Sequence, residues 1–410
     1  MRVVNEAELA RQLSPLLERT ARVVAAGNYA TPRTLLSVVD SCLPTYRLWM
    51  LNAQPGLPDR EGVVHETPFV GPGVRKSERL EYIPARLSLV PRLFARTCIP
   101  DLVLLHVAPP RDGKVSLGVE VNVLPAAVEQ ARRHGGLVVA QINPDMPWTS
   151  GDAELALDDV DLALEAQEPL ASPTPRTPGP VEAAIGERVA GLVADRSTLQ
   201  LGIGGVPDAT LAALSGRRHL RVWSEMLSDG VLRLEAGGAL DVDIPLVASF
   251  LFGSPELYTW AHDNPRLRML RTETTNDPAV ISEQPLMTSV NSALQVDLWA
   301  QANASWVRGR IWSGFGGQSD FVVGALHSHG GQAIVALPSW HPRADVSTIV
   351  PALDGPATSF QHSWVVTEQG AAAITPEPFR AQVRNLVREV AHPDARPALE
   401  QAAAEWGVRL

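Results

Sequence analysis

Lysine is nearly absent from this chain. Of the 35 basic residues in 410, two are lysines, Lys76 and Lys114, which leaves 33 arginines (35 minus 2). Any Schiff-base or phosphate-binding lysine would have to be one of those two. The Gly113-Lys114 pair is followed by Val115 instead of Ser or Thr, so no P-loop is present. Cysteine is equally scarce. Cys42 and Cys98 provide neither a disulfide framework nor metal-ligand spacing, and they fit a reducing compartment. Positive charge is in deficit, with 45 acids giving a net charge of −10, which argues against a general nucleic-acid binder. A local arginine cluster can still hold a small anion.

Long apolar runs are also missing. No stretch approaches 18 uncharged apolar residues, so no membrane-spanning helix is expected. The opening MRVVNEAELARQL lacks the apolar core of a secretory signal, and a cytoplasmic location is the expectation. No GxSxG serine elbow occurs. Two glycine-rich segments, GIGGVP and SGFGGQS, start like a dinucleotide fingerprint, but Pro207 and Ser319 stand where the third glycine belongs. His327 and His329 in LHSHGG have no third ligand nearby in the pattern and read as a polar loop. Neither a metal nor a redox cofactor is expected.

What is present is an ordinary globular composition, 45% hydrophobic and 20% charged, long enough for about two domains. Residues 167–181, QEPLASPTPRTPGPV, contain five prolines between periodic segments and read as an extended connection. The expected division is a domain over 1–170, a linker over 171–180 and a second domain over 181–410. In the first half, a helical pattern covers 6–24, with Leu9, Leu13, Leu16, Leu17 and Val24 near one face and Pro15 as a possible kink. Farther on, 101–107 and 136–142 have strand character. The helix between them stops at Gly135, giving a βαβ unit and a parallel sheet. The second half repeats the grammar: a helix over 181–197, a strand at TLQLG, a glycine turn, a helix from PDATLAAL, and strands at HLRVW, DIPLVASFLFG, QAIVALPS and SWVVTEQG. Both halves are therefore predicted to be α/β with mostly parallel sheets.

Three glycine turns, GIGG (202–205), GFGG (314–317) and HGG (329–331), have two readings. They close βα units tightly, or they let backbone amides approach a phosphate or an oxyanion. Glu225 lies just beyond a predicted strand end, where open α/β sheets form their ligand crevice. It reads either as a surface or capping acid or as a nucleophile toward an activated carbonyl.

Taken in order, QLGIGGVPDATLAAL, VWSEMLSDGVLRLEAGGAL, TTNDPAVI, NSALQVDLWAQANA, SGFGGQSDFVVGA and GGQAIVALPS resemble the acetyl-CoA hydrolase/transferase family, which includes 4-hydroxybutyrate and succinyl-CoA:acetate CoA-transferases. EYIPARLSLVPRLF, DLVLLHVAPPRDGKVSLGVEVN and INPDMPWTSGD resemble that family's first domain, so the likeness spans nearly the whole chain. It implies two similar CoA-transferase-type α/β domains and a catalytic glutamate at Glu225. It also implies oxyanion and CoA contacts from Gly202, Gly204, Gly205, Gly316 and Gly317, with Asn276 near the nucleophile and Gln301 and Asn303 near the substrate. The implied partners are an acyl-CoA and a small carboxylic acid, and the implied assembly is a homodimer. The implied reaction moves CoA through acyl-glutamyl anhydride and glutamyl-CoA thioester intermediates. An acyl-CoA hydrolase, or a non-catalytic acyl-CoA-binding relative, is the alternative on the same scaffold. A sugar-phosphate isomerase on a related α/β fold would leave the pairing of WSEM with GFGGQSDF unexplained. The chain departs from the family pattern near its end. Thr348 stands where an arginine is usual, Gln369 replaces a tyrosine, and AAITPEPFRAQ replaces a Leu-Arg-Gly segment. These changes bear on substrate identity and CoA affinity.

Overall fold

Parallel β-structure dominates both halves of the chain. The computed structural model describes residues 1–173, 177–355, 357 and 361–410, so residues 174–176 of the expected linker lie outside the described residues. The chain divides into two units. The first contains Met1–Pro173, Val247–Thr275 and Ile311–Gly316; the second contains Thr174–Leu246, Asn276–Arg310 and Gly317–Leu410.

The first unit is built on eight strands: β1 (Arg2–Val3), β2 (Ala21–Ala25), β3 (Tyr46–Trp49), β4 (Val63–Thr67), β5 (Leu80–Tyr82), β6 (Leu102–Val107), β7 (Leu137–Ile142) and β8 (Leu162–Glu165). Their spatial order is β1-β8-β7-β6-β2-β3-β4-β5, and every pairing is parallel. Helices α1 (Glu6–Leu13), α2 (Arg33–Cys42) and α3 (Leu124–Arg133) accompany the sheet. Strand β6 is buried at every residue, as its continuous LVLLHV run requires when both faces are covered. Helix α3 crosses from β6 to the parallel β7 and is followed by Gly135 at φ +75°, as the glycine stop predicts.

The expected helix over 6–24 is shorter in the structure. α1 ends at Leu13, Pro15 opens a 3₁₀ turn over Ser14–Glu18, and Val24 lies in β2. Proline suits a first turn because it has no N–H to leave unpaired, and the β-branched RVV segment packs better in a buried strand than in a helix. Leu9, Leu13 and Leu16 enter the core, whereas Leu17 remains exposed.

An ion cluster lies across the middle of this sheet. Glu66, 3% exposed, accepts from Arg22 Nε at 2.7 Å and Nη2 at 3.1 Å, and from Arg47 Nη1 at 2.8 Å. Burial alone would push this carboxyl up, but the two guanidiniums outweigh it and hold the group below its usual range. Removing Glu66 leaves Arg22 without its carboxylate partner in a buried place and leaves Arg47 only Glu81. Glu66→Ala is therefore expected to destabilise the protein by about 3 kcal/mol, read from the midpoint of denaturant unfolding.

The second unit carries β9 (Thr198–Leu201), β10 (Arg221–Val222), β11 (Met287–Ser292), β12 (Gln332–Ala336), β13 (Trp364–Val366) and β14 (Ala371–Ala373). Their order is β10-β9-β11-β12-β13-β14, parallel throughout except for the last pair. Around them lie α4 (Pro180–Leu192), α5 (Gly205–Ala213), α6 (Gly230–Ala236), α7 (Pro278–Ser282) and α8 (Gln318–His327). The helix expected over 181–197 ends at Leu192, where Val193 turns extended. Each unit has its own apolar core: one centred on Leu9, Leu35, Tyr46 and Leu102, the other with clusters around Val335 and Val387 and around Met287 and Phe321.

Candidate active site

In the second unit, β9 runs into the 202–205 glycine turn, and Gly204 adopts φ +123° as the N-cap of α5. That backbone conformation is open to glycine and strained for any side chain, so the GIGG pattern answers a real steric demand here. The next strand, β10, leads directly to Glu225. Trp223 N donates to Leu199 O at 3.1 Å. Ser224, 1% exposed, donates its hydroxyl to Leu201 O at 3.4 Å and accepts from Met226 N at 3.3 Å. These bonds tie the residues on either side of Glu225 to the end of β9. Gly202, Ser224 and Met226 line one small cavity with Leu201, Val222 and Leu227. The sheet thus sets the glycine turn and the glutamate side by side at the carboxyl ends of adjacent parallel strands.

Glu225 is half-buried. Its Oε2 accepts from Asn276 Nδ2 at 2.9 Å, and Asn276 is fully buried, one residue before the Asp277 N-cap of α7. Burial pushes the Glu225 carboxyl up to about 7; the Asn276 bond works against the rise, and the charge of Asp320 adds to it. Gly317, the N-cap of α8, backs onto the same point. A side chain at 317 would run into the Glu225 carboxylate and the Asn276 amide. Asn276, Gly317 and Glu225 therefore converge, although 51 and 92 residues separate the first two from Glu225 (276 minus 225, 317 minus 225). Gly316 belongs to the first unit, where its φ is +55°, its carbonyl accepts from Leu87 N at 3.0 Å, and the Phe69 ring lies against it.

Gln301 and Asn303 occupy a separate three-stranded patch of the second unit. Their bonds are local. Asn303 Nδ2 donates to Trp306 O at 2.8 Å, and its Oδ1 accepts from Ser305 N and Trp306 N. Gln301 Nε2 donates to Trp299 O at 3.4 Å, while Asp297 Oδ1 holds the Gln301 backbone. Among the described residues, neither bonds to Glu225. Thr348, also in this unit, is 5% exposed and donates to Pro338 O. Gln369 lies beside Glu368, which accepts from Ser339 N at 2.9 Å.

Asp320 is the residue that sequence reasoning passed over. It is 1% exposed in the first turn of α8. Its position three residues after Gly317, within GGQSDF, was the available signal: positions i and i+3 share a helix face. His327 ends the same helix and hydrogen-bonds Val323 O at 2.9 Å through Nδ1. Among the described residues, no three His, Cys, Asp or Glu side chains gather into a metal-binding group, and no helix is long and apolar enough to cross a membrane.

Two α/β units with parallel sheets, and a carboxylate set among glycine turns at strand ends, define the class. Residues 59–172 match the acetyl-CoA hydrolase/transferase N-terminal domain, and residues 253–403 match the C-terminal domain of the same name. The chain is 36% identical over 406 residues to the 4-hydroxybutyrate coenzyme A transferase of Clostridium kluyveri, covering 93% of this chain and 94% of that protein. It is 35% identical to the succinyl-CoA:acetate/propanoyl-CoA:succinate CoA transferase of Fasciola hepatica, covering 94% and 85% of the two chains. Among solved structures it is similar to RipA from Yersinia pestis, with a TM-score of 0.90 and 26% identity over 99% of this chain and 98% of that one. The chain belongs to the acetyl-CoA hydrolase/transferase family.

Proposed function

We propose that this enzyme transfers CoA between a small acyl-CoA and a carboxylic acid, with Glu225 as the nucleophile. The observation that carries the reading is the half-buried Glu225 carboxylate, which accepts a hydrogen bond from Asn276 and is backed by Gly317. A carboxylate whose proton affinity is raised is a stronger nucleophile once ionised than one solvated at the surface. Its ionised form attacks the thioester carbonyl. The oxyanion that develops is stabilised by backbone amides of the glycine turns at Gly202, Gly204 and Gly205 and at Gly317, with Gly316 one bond upstream. Collapse expels CoA thiolate and leaves an acyl-glutamyl anhydride. The thiolate then attacks the glutamyl carbonyl, releasing the free carboxylate and forming a glutamyl-CoA thioester. An acceptor carboxylate runs the two steps in reverse. Gln301 and Asn303 shape the substrate-near loop through their local bonds. The resemblance to transferases over nearly the full chain favours transfer over hydrolysis.

Incubation with acetyl-, propionyl-, butyryl- and succinyl-CoA against a panel of acids tests this. New acyl-CoA that appears only with an acceptor is the expected result, and borohydride should trap the thioester by reducing it on Glu225. Free CoA released without an acceptor would make the enzyme a hydrolase. Tight CoA binding without turnover would overturn both.

A further inference from the structure

One stripe of helix α8 faces the 276–281 segment. A side chain at Gly317 would meet Glu225 and Asn276, and a side chain at Gly324, two turns later, would meet Ile281 and Pro278 of α7. Residues i, i+3 and i+7 lie along one face of a helix. Asp320 therefore sits between two positions that both press on the 276–281 segment, one turn from the Glu225 carboxylate. Its near-complete burial fits that placement. Other carboxylates on neighbouring elements have places of their own. Asp277 caps α7 by accepting from Ala279 N at 2.9 Å, Glu182 accepts from Gly179 N at 2.7 Å, and Asp229 stands at the head of α6. Among the described residues, the charge of Asp320 raises the Glu225 carboxyl.

We propose that Asp320 is a positioning residue for the Glu225 reaction, setting by its negative charge the pH at which the nucleophile becomes ionised. Two carboxylates in one poorly solvated place resist being charged together, so the second holds a proton on the first to higher pH. The head of α8 makes the arrangement tolerable for Asp320, because a helix N-terminus favours a negative charge in its first turn. The repulsion then falls on Glu225.

This proposal rests on Glu225 being the nucleophile, and two measurements separate the claims. Borohydride trapping in the wild-type enzyme tests the nucleophile; no adduct on Glu225 sinks both. The pH profile of kcat/KM in Asp320→Asn tests the positioning role. Its acid limb is expected to move down by about half a unit to one unit, raising the rate at pH 6 relative to pH 8.5 about threefold. Asp320→Glu keeps the charge and should keep the limb near its wild-type position. A trapped Glu225 with an unmoved limb in Asp320→Asn, or a rate scaled equally at every pH, overturns the role of Asp320 alone. An Asp320→Asn chain that no longer folds does so too, because the charge would then be serving the fold.

Discussion

Glu225→Gln is expected to lose CoA transfer by about 10⁴-fold or more, because in the proposed mechanism an amide lacks the anionic oxygen that forms the anhydride, and without the anhydride no glutamyl thioester follows. KM for acyl-CoA should change much less, since the amide fills the same space. The same variant is expected to be more stable than wild type at pH 8, and this second effect has a definite sign. The folded-state carboxyl is raised from 4.5 to about 7. A raised carboxyl contributes its stability fully below the unfolded value and loses it as pH climbs through the folded value. At pH 8 wild-type Glu225 is ionised in an environment that disfavours the charge, whereas glutamine carries none. Thermal midpoints should therefore favour Glu225→Gln at pH 8 and nearly coincide at pH 5. Equal midpoints at both values would mean that Glu225 titrates as a surface acid. Full activity in the variant would place the chemistry on another residue.

Gly317→Ala is expected to cut turnover by about 100-fold with little change in thermal stability. Gly317 has φ −93° and ψ −4°, a conformation alanine adopts without strain, so the backbone does not require glycine. The requirement comes from the space in front of it. A methyl group there runs into the Glu225 carboxylate and the Asn276 amide and must push one of them aside. A displacement of about an ångström in a reacting group costs about two orders of magnitude in rate. The check is kcat and KM of Gly317→Ala beside its melting curve. A normal kcat would show that Glu225 has freedom to move, and a large fall in melting temperature would show that the contact serves packing.

These two residues mark how differently the sequence and the structure inform. The strand at 102–107 and its βαβ partner were legible because burial on both faces demands an unbroken apolar run, and a glycine marks the end of the connecting helix. The helix expected to continue to residue 24 was not. A repeat of leucines and valines fits a helix face and a buried strand alike over so short a run, and the neighbouring strands β6 and β3 decided for strand. The 202–205 glycines were recognisable as a turn, and one of them, Gly204, does need a conformation closed to other residues.

By itself the sequence determined the α/β class, the parallel sheets and the place of Glu225 at a strand end, because these follow from periodicity and from residues adjacent in the chain. Its scarcity of lysine confined any lysine chemistry to Lys76 or Lys114. Only the tertiary structure decided which groups surround that carboxylate. Asn276, Gly317 and Asp320 come from two other segments of the second unit; burial there lifts the Glu225 carboxyl to about 7, with the Asn276 hydrogen bond opposing the rise and the charge of Asp320 adding to it. Gln301 and Asn303, by contrast, turn their hydrogen bonds into their own loop. Desolvation and charge proximity are properties of distances in space, and no spacing along the chain encodes them.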